Sequence, residues 1–202
     1  VTRSLPVLAD PADRVEANSR ITGSMGAVLL VALAAEGATV VLHVRGELSA
    51  HVFIGMLLVP PVLVKLASTG YRIVRYYRGD SRFVARGAPP LLLRVLGPFV
   101  ALTTVAVIAT GLLDLLLGPS GPLGALHKLS FVLWFAAMTI HVLGHLVETP
   151  RLAIADWRRR AQAVPGASSR RLLVIATLVA GALLGWWSLS WIGSAWSQGG
   201  RG

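Results

Sequence analysis

The sequence predicts an all-α, polytopic membrane protein: a five-transmembrane-helix up-and-down bundle. Three observations predict it. Five stretches are apolar for about the 20 residues that a bilayer crossing takes. The 202-residue chain is 54% hydrophobic and only 14% charged, and its mean hydropathy is +0.69, which points to spans rather than to a soluble core. The arginines are gathered into two of the connecting segments instead of being spread over one surface.

Residues 1–20 are polar, contain acids, and read as a cytoplasmic amino-terminal segment. The transmembrane domain is expected over 21–192. Its first span, 21–44, is too long for the apolar stretch of a signal peptide and reads as a retained helix. Glu36 is the acid deepest within a span. The second span, 49–68, opens with Ser49, which reads as an N-cap. Pro60 and Pro61 are expected to interrupt it, a break that lipid tolerates only where neighbours satisfy the freed carbonyls. Gly97 and Pro98 predict a similar break in the third span, 91–117. The fourth span covers 126–147 and the fifth 172–192. Trp186, Trp187, Trp191 and Trp196 cluster at the end of the fifth as an interfacial belt. Residues 193–202 form an external tail.

Charge orients the bundle. Arg72, Arg75, Arg78, Arg82 and Arg86 follow the second span, with Asp80 the only acid among them. Arg151, Arg158, Arg159, Arg160, Arg170 and Arg171 follow the fourth. The other two connections carry only Arg45 and Glu47, or no charge at all. Cytoplasmic loops hold the Lys/Arg excess. The amino terminus is therefore expected in the cytoplasm and the carboxyl terminus outside, in a bacterial plasma membrane. The net charge of +10 is explained by these loops, so nucleic acid is not an expected partner; the bilayer is. The absence of cysteine excludes disulfides, thiolate metal sites, iron–sulfur clusters and covalent haem attachment through CxxCH.

The histidines carry the functional reading. There are five, and His51, His127, His141 and His145 stand toward the ends of apolar segments. Ionisable residues inside membrane spans default to function, and imidazole is a usual protein ligand of haem iron. His51 opens the second span and His127 the fourth, and these two spans run in the same direction. Both histidines thus lie near the outer face at one depth, as axial ligands of a haem between the helices would. Gly55, one turn deeper than His51, removes a side chain where a flat macrocycle would approach. A lone histidine at a helix end is usually an interfacial residue; a depth-matched pair on parallel spans is harder to dismiss. His43, at the end of the first span, is read as solvated.

The fourth span also carries His141, fourteen residues after His127, about 21 Å further along the axis and offset by about 40° on the same face. His145 follows one turn later. Fourteen residues after His51 stands Lys65 rather than histidine. Four readings stay open at this inner end. His141, or His145, binds a second haem with an unusual partner. His141 and His145 form a polar site for a quinone head group or haem propionate, with Lys65 supplying charge. They hold a metal as an i,i+4 pair. Or they are polar residues reaching the interface.

The Hx13H spacing of His127 and His141, with the segments HVFIGMLLVPPVLVKLASTGYRIVRYYRGD and LHKLSFVLWFAAMTIHVLGHL, resembles cytochrome b and ferric-reductase-like transmembrane b-type cytochromes, and looks like small actinobacterial cytochrome-b-like membrane proteins. The resemblance covers about half of the chain, and Lys65 departs from the doubled Hx13H pattern. It implies transmembrane electron transfer through non-covalent haem b, one haem with a second in question. It also implies a place as membrane subunit of a larger oxidoreductase, with a protein redox partner and a quinone, rather than a self-sufficient enzyme. Two other classes compete: a cofactor-free structural or assembly subunit whose histidines join helices, and a proton-relay or transport protein using Glu36, Asp114 and Glu148. No GxSxG element accompanies Ser49, so hydrolysis is not expected.

Overall fold

The computed structural model describes residues 11–41, 47–88, 90–118, 121–145, 148–157 and 164–199. Among them are seven helices and no strand: α1 Pro11–Val41, α2 Glu47–Tyr77, α3 Ser81–Ala85, α4 Leu91–Leu117, α5 Gly121–His145, α6 Glu148–Ala155 and α7 Ala167–Gly199. Five of them, α1, α2, α4, α5 and α7, are long and apolar enough to cross a membrane. Their outward faces are consistent with a bilayer around them. Large apolar side chains such as Leu102, Val132, Leu143, Leu183 and Trp186 are exposed, while Thr103, Thr104, Thr110, Ser130, Thr177 and Ser188 are buried. Lipid accepts the first group, and buried small residues let helices approach closely.

The helices outrun the apolar runs that announce them. α1 begins at Pro11, ten residues before the expected span, because Asn18, Ser19 and Arg20 are buried against other elements rather than left in water. α2 continues to Tyr77, and α7 starts at Ala167 and runs on to Gly199. Ser49 is not an N-cap: α2 already begins at Glu47, so Ser49 lies inside the first turn. Pro60 and Pro61 do not interrupt α2, nor Pro98 α4. The basic connections contain two short helices that the sequence did not announce. α3 is capped by Asp80, whose carboxylate accepts from the Arg82 amide at 3.2 Å; Gly79, at φ 75°, turns the chain out of α2 in a region side chains disfavour. α6 lies on α1, where Gly23 gives way to Leu152.

α2 is central, packed along α1 on one side and α7 on the other; α4 pairs with α5, and the two groups meet through short contacts of α4 with α7 and α2. Gly181 and Gly185 seat α7 on the α2 backbone: a Cβ at these positions would lie 2.4 Å from the Leu57 carbonyl oxygen and 2.7 Å from that of Phe53. The end of the bundle carrying α3 and α6, here the arginine end, is tied by a buried ionic cluster. Asp156 accepts from Arg20 Nη1 at 3.0 Å and from Arg170 Nε and Nη2 at 2.5 and 2.7 Å. Arg170 also donates to the carbonyls of Val164 and Pro165. One carboxylate thereby joins α1, the segment after α6, and α7. Between α1–α2 and α4–α5 runs a cavity of about 1340 Å³.

Candidate functional site

The site is built from the cavity walls. At the far end, His51 in the second turn of α2 and His127 in the second turn of α5 come together, their ring centroids 6.2 Å apart and their planes at 77°. His51 Nδ1 lies 2.6 Å from Glu36 Oε1 on α1, a close contact rather than a well-aligned hydrogen bond. His127 Nδ1 lies 3.1 Å from the Thr110 hydroxyl on α4, which is 3.0 Å from that of Ser130; Ser130 in turn donates to the His127 carbonyl at 2.8 Å. His127 is thus held at Nδ1 by a hydroxyl of a neighbouring helix, while His51 Nδ1 faces the Glu36 carboxylate. Gly111 makes room for the His127 ring, since a Cβ there would stand 2.9 Å from its Cε1. Asp114, with its Oδ1 buried and without a hydrogen-bond partner, also lines this end.

Toward the arginine end the same cavity is lined by Lys65, His141 and His145, with Arg72, Arg86 and Arg94. Lys65 donates from Nζ to the Thr22 carbonyl at 2.9 Å. His141 and His145 lie side by side, centroids 4.8 Å apart, and His141 Nδ1 is buried without a hydrogen-bond partner. Among the described residues no three His, Asp or Glu side chains gather closely enough to hold a metal ion, so the i,i+4 histidine pair finds no third ligand there.

The expected residues therefore fall into two sets along one cavity. His51 and His127 meet; His141, His145 and Lys65 line the opposite half. Gly55 lines the wall beside them, where a Cβ would make only an ordinary 3.9 Å contact with Glu36. The glycine that the geometry requires is Gly111, which the sequence reading passed over. Glu36 was legible as a deep acid but not as the partner of His51, and Thr110 gave no signal beyond being polar within a span. His43 lies outside the described residues.

The far-end rings stand edge to face with centroids 6.2 Å apart, a spacing at which two imidazoles could share one metal with bonds of roughly 2 Å each. The side chains at this end are the two imidazoles, with the carboxylates of Glu36 and Asp114 beside them; imidazole is a usual haem ligand. Lys128 at this end and Lys65 and the arginines at the other offer cations to propionates. Comparison of the chain with protein-family models, curated proteins and solved structures finds no match, so the case rests on the residues themselves.

Proposed function

We propose that this chain is a membrane b-type cytochrome in which His51 and His127 are the axial ligands of one haem. The observation that carries the reading is the pair of rings at 6.2 Å, each with its Nδ1 against a residue of a neighbouring helix. Cavity size is compatible with it: the groove of about 1340 Å³ between α1–α2 and α4–α5, open along part of its length, has room for a macrocycle, ordinary ligand pockets being roughly 300–1,000 Å³. Bound between two imidazoles, haem would supply a low-spin, one-electron carrier with no open iron position, suited to electron transfer rather than oxygen chemistry. The chain's own part is to orient. Glu36 holds the His51 ring, Thr110 and Ser130 hold His127, Gly111 lets that ring lie flat against α4, and the apolar walls exclude water.

In this reading the arginine end faces the cytoplasm of a bacterial cell, with the amino terminus on that side and the carboxyl terminus outside, on the strength of the loop arginines. The protein acts as the membrane subunit of a larger oxidoreductase, exchanging electrons with a protein partner and a quinone. A proton relay is the second reading, favoured by the Glu36–His51 contact itself.

A reduced-minus-oxidised spectrum of the purified full-length chain, with haem quantified per chain, separates the two. The cytochrome reading expects a low-spin haem that His51→Ala or His127→Ala abolishes or turns high-spin. A chain without haem, or both variants keeping a full low-spin spectrum, overturns it. A cysteine at Arg78 should stay shielded from an impermeant reagent in intact cells; its labelling would reverse the orientation.

A further inference from the structure

The two helix groups of the bundle touch little. α4 and α5 meet α1, α2 and α7 chiefly through short contacts of α4, and the groove between the groups is open along part of its length. Its walls are mostly apolar, and the charge along them is sorted by end. Among the described lining residues the only carboxylates, Glu36 and Asp114, stand at the far end, with Lys128. The opposite mouth is lined by Arg72 of α2, Arg86 behind α3 and Arg94 in the first turn of α4, and by no acid. Three separate elements thus bring guanidiniums to one place. The local sequence arranges it: Arg86 closes α3, and Gly87, at φ 80°, turns the chain across the end of the groove toward α4. Other cations at this end are engaged elsewhere. Arg75 pairs with Asp80, Arg20 and Arg170 with Asp156, and Lys65, about two turns deeper than Arg72, donates to the Thr22 carbonyl.

We propose that this mouth binds an anionic phospholipid of the surrounding bilayer, its phosphate between Arg72, Arg86 and Arg94 and one acyl chain lying between the two helix groups. Charge complementarity selects the head. A phosphodiester keeps its negative charge at any physiological pH, and guanidinium forks match its oxygens with paired hydrogen bonds. Arg86 also has Glu16 at 3.4 Å; with five donors, a guanidinium serves both. Basic pockets between membrane helices are a recurrent site for such headgroups. Length selects the tail. One leaflet supplies about half of the roughly 30 Å hydrocarbon core, about 15 Å, or about ten residues of helix. Measured from Arg72 and Arg94, a chain of that length ends beside Val62 and Thr104, and both line the groove. Val62 is still about 16 Å along α2 from His51, so the lipid leaves the far end clear. Gly97 keeps α4 bare on the way: it lines the groove, and a Cβ there would meet nothing within 4 Å. Free phosphate has the charge but nothing to cover apolar walls; a quinone has the apolar tail but no anion. The lipid joins helix groups that protein contacts alone join weakly. None of these residues belongs to the His51–His127 pair, so the proposal stands apart from the haem reading.

Native mass spectrometry of the purified, delipidated full-length chain tests this, with titration by phosphatidylglycerol or by phosphatidylcholine of the same acyl chains. One phosphatidylglycerol per chain should bind in preference to phosphatidylcholine. Arg72→Gln and Arg94→Gln should each weaken it about fivefold, the worth of roughly one cation at a lipid surface. Arg78→Gln removes an exposed arginine of the same end that does not line the groove, and should change nothing. Gly97→Leu fills the open space beside α4 and should displace the lipid while circular dichroism stays that of the wild type; this variant decides the matter if an arginine variant fails to fold. Equal affinity for the two lipids, equal weakening by Arg78→Gln, or undiminished binding in Gly97→Leu would reduce the site to a generally basic surface and overturn the proposal. Displacement of the lipid by inorganic phosphate or by a quinone at like concentration would also overturn it, giving the mouth to a free anion or the groove to a quinone. Haem content enters none of these readouts.

Discussion

Substituting Gly181 tests the contact on which α2, and with it His51, depends. A Cβ at this position would lie 2.4 Å from the Leu57 carbonyl oxygen, about 1 Å inside the 3.4 Å at which ordinary contact begins, and 3.1 Å from the Leu57 Cα and carbonyl carbon. The obstacle is backbone on both sides, so no rotamer change relieves it; α7 must withdraw. Withdrawal by 0.5–1 Å forfeits about a quarter to a half of each dispersion contact along the interface, and overpacking of this kind costs about 1–3 kcal/mol. Gly181→Ala should therefore destabilise the bundle by about 2 kcal/mol, a fall in Tm of about 6 °C for a chain of this size. Adding Gly185→Ala should cost less than the sum of the two, because one withdrawal serves both. Gly70→Ala is the control: a Cβ there meets nothing within 4 Å, and alanine is the better helix former by about 0.5–1 kcal/mol. Thermal unfolding in detergent, followed by the fluorescence of the α7 tryptophans, reads all three. Equal stability of Gly181→Ala and Gly70→Ala would refute the close packing of α7 on α2.

Two further outcomes follow from the ionic groups. Burial pushes the Asp156 carboxyl up, but the guanidiniums of Arg170 and Arg20 outweigh it and hold the group below the usual carboxylate range. Its stabilisation is therefore complete above the unfolded value of about 3.9 and is lost as pH falls below that and through the lowered folded value; Tm measured from pH 7 to pH 3 should drop in that window. Asp156→Asn, which leaves the buried Arg170 guanidinium without a counter-charge while Arg20 keeps Glu16 at 3.0 Å, should cost about 3 kcal/mol at neutral pH and flatten the acid limb; an unchanged limb would show that another group controls it. If the proposed haem lies between His51 and His127, Glu36→Gln should keep it but raise its midpoint potential by about 60 mV, a tenfold shift for a one-electron couple, because the carboxylate favours the more positive ferric state. A potentiometric titration with no shift would remove Glu36 from the role of positioning residue.

Much of the arrangement was legible because it follows from topology. Alternation of the spans fixes which of them are parallel, parallel spans fix depth, and depth alone paired His51 with His127 before any contact was known. Rotation about each helix axis was not legible, since it depends on packing: hence Glu36 appeared as a deep acid without a partner, and Thr110 and Gly111 not at all. The helices α3 and α6 were hidden for a different reason. They are five and eight residues long and sit among arginines, where apolar periodicity is too short to count.

The expected break at Pro60 and Pro61 failed for a reason that joins two sequence features read separately. A proline in a helix removes one amide donor and leaves the carbonyl four residues earlier without its partner. For Pro61 that carbonyl belongs to Leu57, the group against which Gly181 is seated. α7 comes close enough there for its backbone to face the freed oxygen, because GALLG places no side chain between them. Weak Cα–H···O contacts recur at such interfaces, and neighbouring helices are the usual remedy for proline-freed groups in lipid. Pro61, fully buried, and Gly181 are thus halves of one device: the proline frees a backbone oxygen, the glycine lets the next helix cover it, and α2 passes straight through. The result is a rigid α2 backed by α7 along the turns below His51, so that the opposite face, with His51, Gly55 and Lys65, is held toward the cavity.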